Sequence, residues 1–181
     1  MIKYAAFLRA INVGGHGLIK MNDLRKSFES LGLKNVRTYI QSGNVLFESP
    51  EKNPDILREK IEKRLHKMLE YEVTTFLRTD EEMNDIVEHN PFSDAKLSKD
   101  LVLYVAFLPE EPGKNLKDSL ISFNNKNEIC KVRNREVYCL IGKKVKTLFS
   151  NNWLEKKLGM RATTRNWTTE TKMLNFFTEK K

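Results

Sequence analysis

Three short segments of the chain combine residue types that could hold a charged ligand. They are Arg9-Ala10-Ile11-Asn12-Val13-Gly14-Gly15, Tyr39-Ile40-Gln41-Ser42-Gly43-Asn44 and Ala162-Thr163-Thr164-Arg165-Asn166-Trp167. Arg offers a planar fork of donors that matches phosphate and carboxylate. Asn and Gln both donate and accept, and glycines after a strand and before a helix present backbone N–H groups to anions. Packing alone seldom calls for Arg, Asn and Trp side by side. The candidate ligand-binding residues are therefore Arg9, Asn12, Gly14, Gly15, Gln41, Ser42, Gly43, Asn44, Thr164, Arg165, Asn166 and Trp167.

The chemistry this set supports is binding rather than a named reaction. No nucleophile and base stand in a recognisable pair, and His16, His66 and His89 do not cluster in the sequence, so no catalytic residue is assigned. Whether the chain is an enzyme stays open. Gly14-Gly15-His16-Gly17 matches neither the dinucleotide fingerprint nor the phosphate loop that ends in Gly-Lys-Ser/Thr. No Cys-x-x-Cys or His-x-x-x-His spacing occurs, so neither a metal nor a cofactor is expected.

The charge of this 181-residue chain sharpens the choice of partner. The net +8 is uneven. Residues 1–48 carry seven basic and three acidic groups, residues 49–130 twelve and seventeen, and residues 131–181 thirteen and four. A basic last third suits an anionic partner, such as a phosphate-bearing small molecule or a nucleic acid. It also suits plain solubility with charged helix faces. The longest uncharged apolar run, Leu101 to Leu108, is too short to cross a bilayer, so no membrane partner is expected. Nothing resembles a secretion signal, and the expected location is the cytoplasm.

These segments need elements to position them. Ile2 to Arg9 reads as a strand, then a glycine loop. Lys20 to Leu31 carries Met21, Leu24, Phe28 and Leu31 on one helical stripe, closed by Gly32. Val36–Ile40 and Val45–Glu48 read as strands joined by a tight turn at Ser42-Gly43. Pro54 opens a second helix, and Val73 to Arg78 is a fourth strand. Thr79-Asp80-Glu81-Glu82 is a capping box that opens a bridging helix, and Asn90-Pro91 stops it. The second half reads βαββαα, with Arg165 in the first turn of a last helix that begins near Thr164. The expected fold is α+β, with two ferredoxin-like (α-β plait) halves: βαββαβ, a bridging helix, then βαββαα. The boundaries fall at residues 1–79, 80–99 and 100–181.

In this topology the loop leaving strand one and the hairpin joining strands two and three emerge at one sheet end. The loop before strand four, around Glu70-Tyr71, lies there too. Asn12–Gly17 should therefore meet Gln41–Asn44. Arg165, placed at a helix start, would sit on the unfavourable side of the dipole unless an anion or a carboxylate compensates. A turn at Asn134-Arg135 sets Cys130 opposite Cys139, where a disulfide is conceivable. The missing secretion signal favours two buried, reduced thiols.

The three motifs together resemble the family called domain of unknown function 1697. Its signatures are similar to Arg9 through Gly15, to Thr38 through Phe47, and to Leu158-Gly159 with Ala162 through Trp167. The resemblance implies two α-β plait domains and a mostly bacterial distribution, and it implies no activity. Ala10 stands where the family usually has Gly, which suggests a backbone with negative φ there. Thr168-Thr169 and Gly142–Ser150 also depart from its pattern.

Overall fold

The computed structural model describes residues 1–12, 18–93 and 100–178. The chain forms a mixed α/β fold with two four-stranded antiparallel sheets. Its elements are β1 (Ile2–Leu8), α1 (Met21–Glu29), β2 (Lys34–Tyr39), β3 (Asn44–Ser49), α2 (Pro54–Leu69), β4 (Thr75–Thr79) and α3 (Asp80–Glu88). They continue with β5 (Leu101–Phe107), α4 (Lys114–Ile121), β6 (Glu128–Arg133), β7 (Glu136–Gly142), α5 (Asn151–Leu158), β8 (Thr163–Asn166) and α6 (Trp167–Thr178). The strand orders are β2-β3-β1-β4 and β6-β7-β5-β8. Two compact units result: Met1–Asn84 with Met173–Lys181, and Asp85–Lys172.

Local chemistry sets the helix ends. The Asn53 side chain accepts from the N–H of Asp55 and Ile56, and Pro54 fills the first helical position of α2. Glu70 ends α2 in the left-handed region at φ 63°, donating to the His66 carbonyl at 2.8 Å. The capping box of α3 forms as its sequence predicts: Thr79 N–H donates to Glu82 at 2.9 Å, and Glu82 N–H to the Thr79 hydroxyl at 3.2 Å. In the first unit Leu24, Phe28, Leu57, Ile61 and Leu65 bury one face of α1 and α2 with Phe47 of the sheet. In the second, Leu120, Leu154 and Leu158 pack with Val137, Cys139 and Ala106.

Three expectations are corrected. The second half ends in a strand before its last helix, so its order is βαββαβ-α rather than βαββαα. Residues 163–166 pair with β5 in the register Phe107↔Thr163 to Tyr104↔Asn166. Their burial alternates as a strand's does: Thr163 and Arg165 buried, Asn166 exposed. A four-residue strand rich in Thr and Asn carries the same residue types as a helix cap, and only its pairing with β5 decides between them. Second, Cys130 and Cys139 are joined in a disulfide, with Cα atoms 4.2 Å apart. Their register places them directly opposite, as the hairpin predicts. Asn124 fixes Cys130 from the other side, accepting from its N–H at 2.7 Å and donating to its carbonyl at 3.0 Å. Third, the β2–β3 connection is a four-residue loop, Ile40–Gly43, closed by the pair Tyr39↔Asn44. It is not a two-residue turn.

Candidate functional site

The first unit gathers two of the three motifs at one end of its sheet. Arg9 follows β1, and its backbone N–H donates to the Thr74 carbonyl at 2.9 Å, tying the strand exit to the approach to β4. Asn12 then acts as a clasp. Its carboxamide nitrogen donates to the carbonyls of Ile19 at 3.2 Å and Gln41 at 3.1 Å, and its oxygen accepts from Ile19 N–H at 2.8 Å. One side chain thus ties Ile19 to the hairpin. Gly14 and Gly15, with the rest of 13–17, lie outside the described residues.

The hairpin is held from within as well. Asn44, fully buried, donates to the Tyr39 carbonyl at 3.2 Å and to the Ser42 hydroxyl at 2.9 Å. Gly43 lies under the β1 exit, where its carbonyl accepts from Leu8 N–H at 2.9 Å. Its φ is +75°, and a Cβ there would stand 2.2 Å from Ile11 Cγ2 and 3.0 Å from Leu8 Cβ. Only glycine fits. The second unit repeats the backbone contact, Leu108 N–H to the Arg135 carbonyl at 2.9 Å.

The backbone here is bent into unfavourable regions. Ala10 and Asn12 both have φ 57°, and Ile40 has φ 49°. Left-handed backbone costs a non-glycine residue roughly 1–2 kcal/mol, and a β-branched one is a true outlier. Asn tolerates it; Ala and Ile do not. The expectation of negative φ at Ala10 is therefore wrong, and the family's usual Gly answers a real conformational need. Ile40 is in addition 49% exposed, so neither burial nor backbone preference explains its place. Gln41 is exposed beside it, and Arg9 is half-buried. Helix α1 begins just past the clasp. Lys20 at its N-cap makes no side-chain capping bond, while its carbonyl accepts from the N–H groups of Asp23 at 3.0 Å and Leu24 at 3.1 Å, and Asp23 is the acidic residue of the first turn.

The third motif sits in the second unit and performs a different task. Arg165 is 8% exposed in β8, not at a helix start. Its guanidinium donates to the Thr163 hydroxyl at 2.8 Å and the Thr164 carbonyl at 2.9 Å. The Thr164 hydroxyl donates to Asn151 at 3.0 Å, and Asn151 donates on to the Ala162 carbonyl at 3.0 Å, so the motif braces α5. Asn166 accepts from Thr168 N–H at 2.9 Å and starts α6, whose first residue, Trp167, stacks obliquely near Tyr138.

Sequence reasoning passed over two groups. Arg78 is 2% exposed in β4, opposite Ala5, and donates to the preceding carbonyl of Leu77 at 2.7 Å. Arg165, opposite Val105, holds the matching position in the second sheet. The paired element order of the two halves was the available signal. The other group is Asp85, which Arg133 grips with both guanidinium nitrogens and His89 meets at 2.9 Å. Hydrogen bonding from Arg133 holds the Asp85 carboxyl below the usual carboxylate range. The contact spans 48 positions and leaves no sequence trace. Burial pushes the Tyr138 phenol well above its ordinary value, with its hydroxyl donating to the Ile86 carbonyl at 3.2 Å. Among the described residues, no three His, Cys, Asp or Glu side chains are placed to hold a metal, and no helix is long and apolar enough to cross a membrane.

The sequence pattern of the family described as Protein of unknown function (DUF1697) matches residues 1–138. The chain belongs to that family. The match takes in the clasp and the hairpin, while the Thr164–Trp167 segment lies beyond it. The fold is similar to that of a conserved bacterial protein from Streptococcus pneumoniae, with a TM-score of 0.70 and 24% identity. That likeness covers 96% of this family member and 97% of the other chain. No curated protein sequence matches the chain.

Proposed function

We propose that this protein binds a phosphate-bearing ligand at the hairpin end of its first unit. One observation carries the reading: Asn12 clamps the uncapped start of α1 beside the hairpin. A helix start without a side-chain cap favours an anion, and Lys20 at the N-cap and Arg9 just past β1 are the cations this stretch of chain offers, against the Asp23 carboxylate in the first turn. Two strained, non-glycine residues at the same place, Ala10 and Ile40, fit a site whose shape is set by a ligand rather than by folding. Arg9, Gln41 and Ser42 supply side chains. Asn12, Gly43 and Asn44 form the frame.

The finer fold assignment belongs to the same reading. The strand order 2-3-1-4 in each unit supports two ferredoxin-like α-β plaits. A second reading has support from the bonds themselves. The hydrogen bonds of Asn12 and Asn44 run to the protein's own groups, as they would if the motifs only stabilised the fold.

Thermal melts with inorganic pyrophosphate separate the two. Binding raises stability by RT ln(1 + [L]/Kd), so the melting point should climb with pyrophosphate. Arg9→Ala should remove that rise. A wild-type melt indifferent to pyrophosphate, beside an Arg9→Ala protein that melts far earlier, would favour the structural reading.

A further inference from the structure

Two aliphatic side chains flank the clasp in solvent. Leu18 is 81% exposed and Ile40 is 49% exposed. Each lies one residue from a carbonyl that Asn12 holds: Leu18 before Ile19, Ile40 before Gln41. Those carbonyl oxygens stand 3.2 and 3.1 Å from one nitrogen, so the two backbones run close together at this point. Ile40 is the more telling of the pair. It is β-branched, at φ 49°, and still presented to water. Folding gains nothing from that arrangement, since Gly or Asn would fit the backbone better and a polar residue the exposure. An apolar side chain held outward against its conformational preference has a use for its surface.

Resting on the phosphate reading above, we infer that Leu18 and Ile40 form an aliphatic clamp for the base of a nucleoside phosphate. A flat base needs apolar contact on both faces, with walls about 7 Å apart for van der Waals contact. Two neighbouring backbones bound to one carboxamide can supply such walls. A polar neighbour is needed for the edge of the base, and the exposed Gln41 side chain donates and accepts. The cation Arg9 and the start of α1 take the phosphate. This assembly discriminates a nucleotide from a bare phosphate or sugar phosphate.

The test compares AMP with ribose 5-phosphate by calorimetry, because the two differ only in the base, and it uses pyrophosphate as the anion control. Wild type should bind AMP at least about tenfold tighter than ribose 5-phosphate. Ile40→Gly keeps the left-handed backbone accessible and should bring AMP down to the ribose 5-phosphate level. Leu18→Ser should do the same, with pyrophosphate binding and the melting point unchanged. Equal binding of AMP and ribose 5-phosphate by wild type overturns the clamp and leaves the phosphate reading standing. No binding of any of the three overturns the phosphate reading as well.

Discussion

Gly43→Ala is the sharpest perturbation of the frame. The new Cβ would stand 2.2 Å from Ile11 Cγ2, closer than real contacts come, and 3.0 Å from Leu8 Cβ, tighter than most. Ile11 is 1% exposed in the core of the first unit, so it cannot swing aside freely. Overpacking of this kind costs about 1–3 kcal/mol. The φ of +75° adds roughly 1–2 kcal/mol once a side chain is present. Stiffening of the unfolded chain returns about 0.4–1 kcal/mol. The net expectation is a loss of about 2–4 kcal/mol, or a melting point lower by roughly 5–15 °C for a chain of this length. Urea unfolding followed by circular dichroism measures it. Ile11→Ala removes the clashing methyl, so in the double variant Gly43→Ala should cost clearly less, by at least about 1 kcal/mol of coupling. A Gly43→Ala protein within about 0.5 kcal/mol of wild type would refute the close approach of hairpin and strand exit.

Three further expectations follow from the same geometry. Ala10→Gly should raise stability by about 0.5–1 kcal/mol, the relief of left-handed strain less the added freedom of the unfolded chain; a drop in urea midpoint would contradict φ 57° at Ala10. Arg165→Ala should cost roughly 2–4 kcal/mol, because a buried guanidinium bonded to Thr163 and Thr164 is lost; a melt unchanged from wild type would place that side chain in solvent. Asp85, whose folded pKa is lowered by Arg133, adds stability that is fully present above its unfolded value and is lost as pH falls toward the folded one. The pair is partly exposed, so Asp85→Asn should cost under about 1 kcal/mol at pH 7 and progressively less as the pH falls below the ordinary carboxylate range; a loss that grows on acidification would reverse the sign of the shift.

Much of the first unit was legible in the chain because its signals are local. Pro54, the Thr79–Glu82 box and the stripe of Leu24 and Phe28 each decide an element within one or two turns. The meeting of the strand exit with the hairpin followed from connectivity, and the Asn12–Gln41 bond shows it. What failed was settled at long range. Thr163–Asn166 becomes a strand because β5 offers an edge 56 to 62 positions away, at Phe107↔Thr163 to Tyr104↔Asn166, and not through its own composition. The left-handed Ala10 and Ile40 contradict residue preference, so preference could not find them. The same conflict marks them as candidates for function, since local rules tend to break where a site needs a particular shape. The disulfide was open on geometry, and the expectation of reduced thiols rested on compartment alone.

The central claim is that the hairpin end of the first unit holds a phosphate group. A pyrophosphate titration of the isotope-labelled full chain, followed at each backbone amide by NMR, tests it most directly. Saturable shifts are expected at the amides of Arg9, Asn12, Met21, Asn22, Gln41 and Ser42, with those of Thr163–Asn166 unmoved. No saturable shift at these amides, or saturable shifts confined to the second unit, would contradict it.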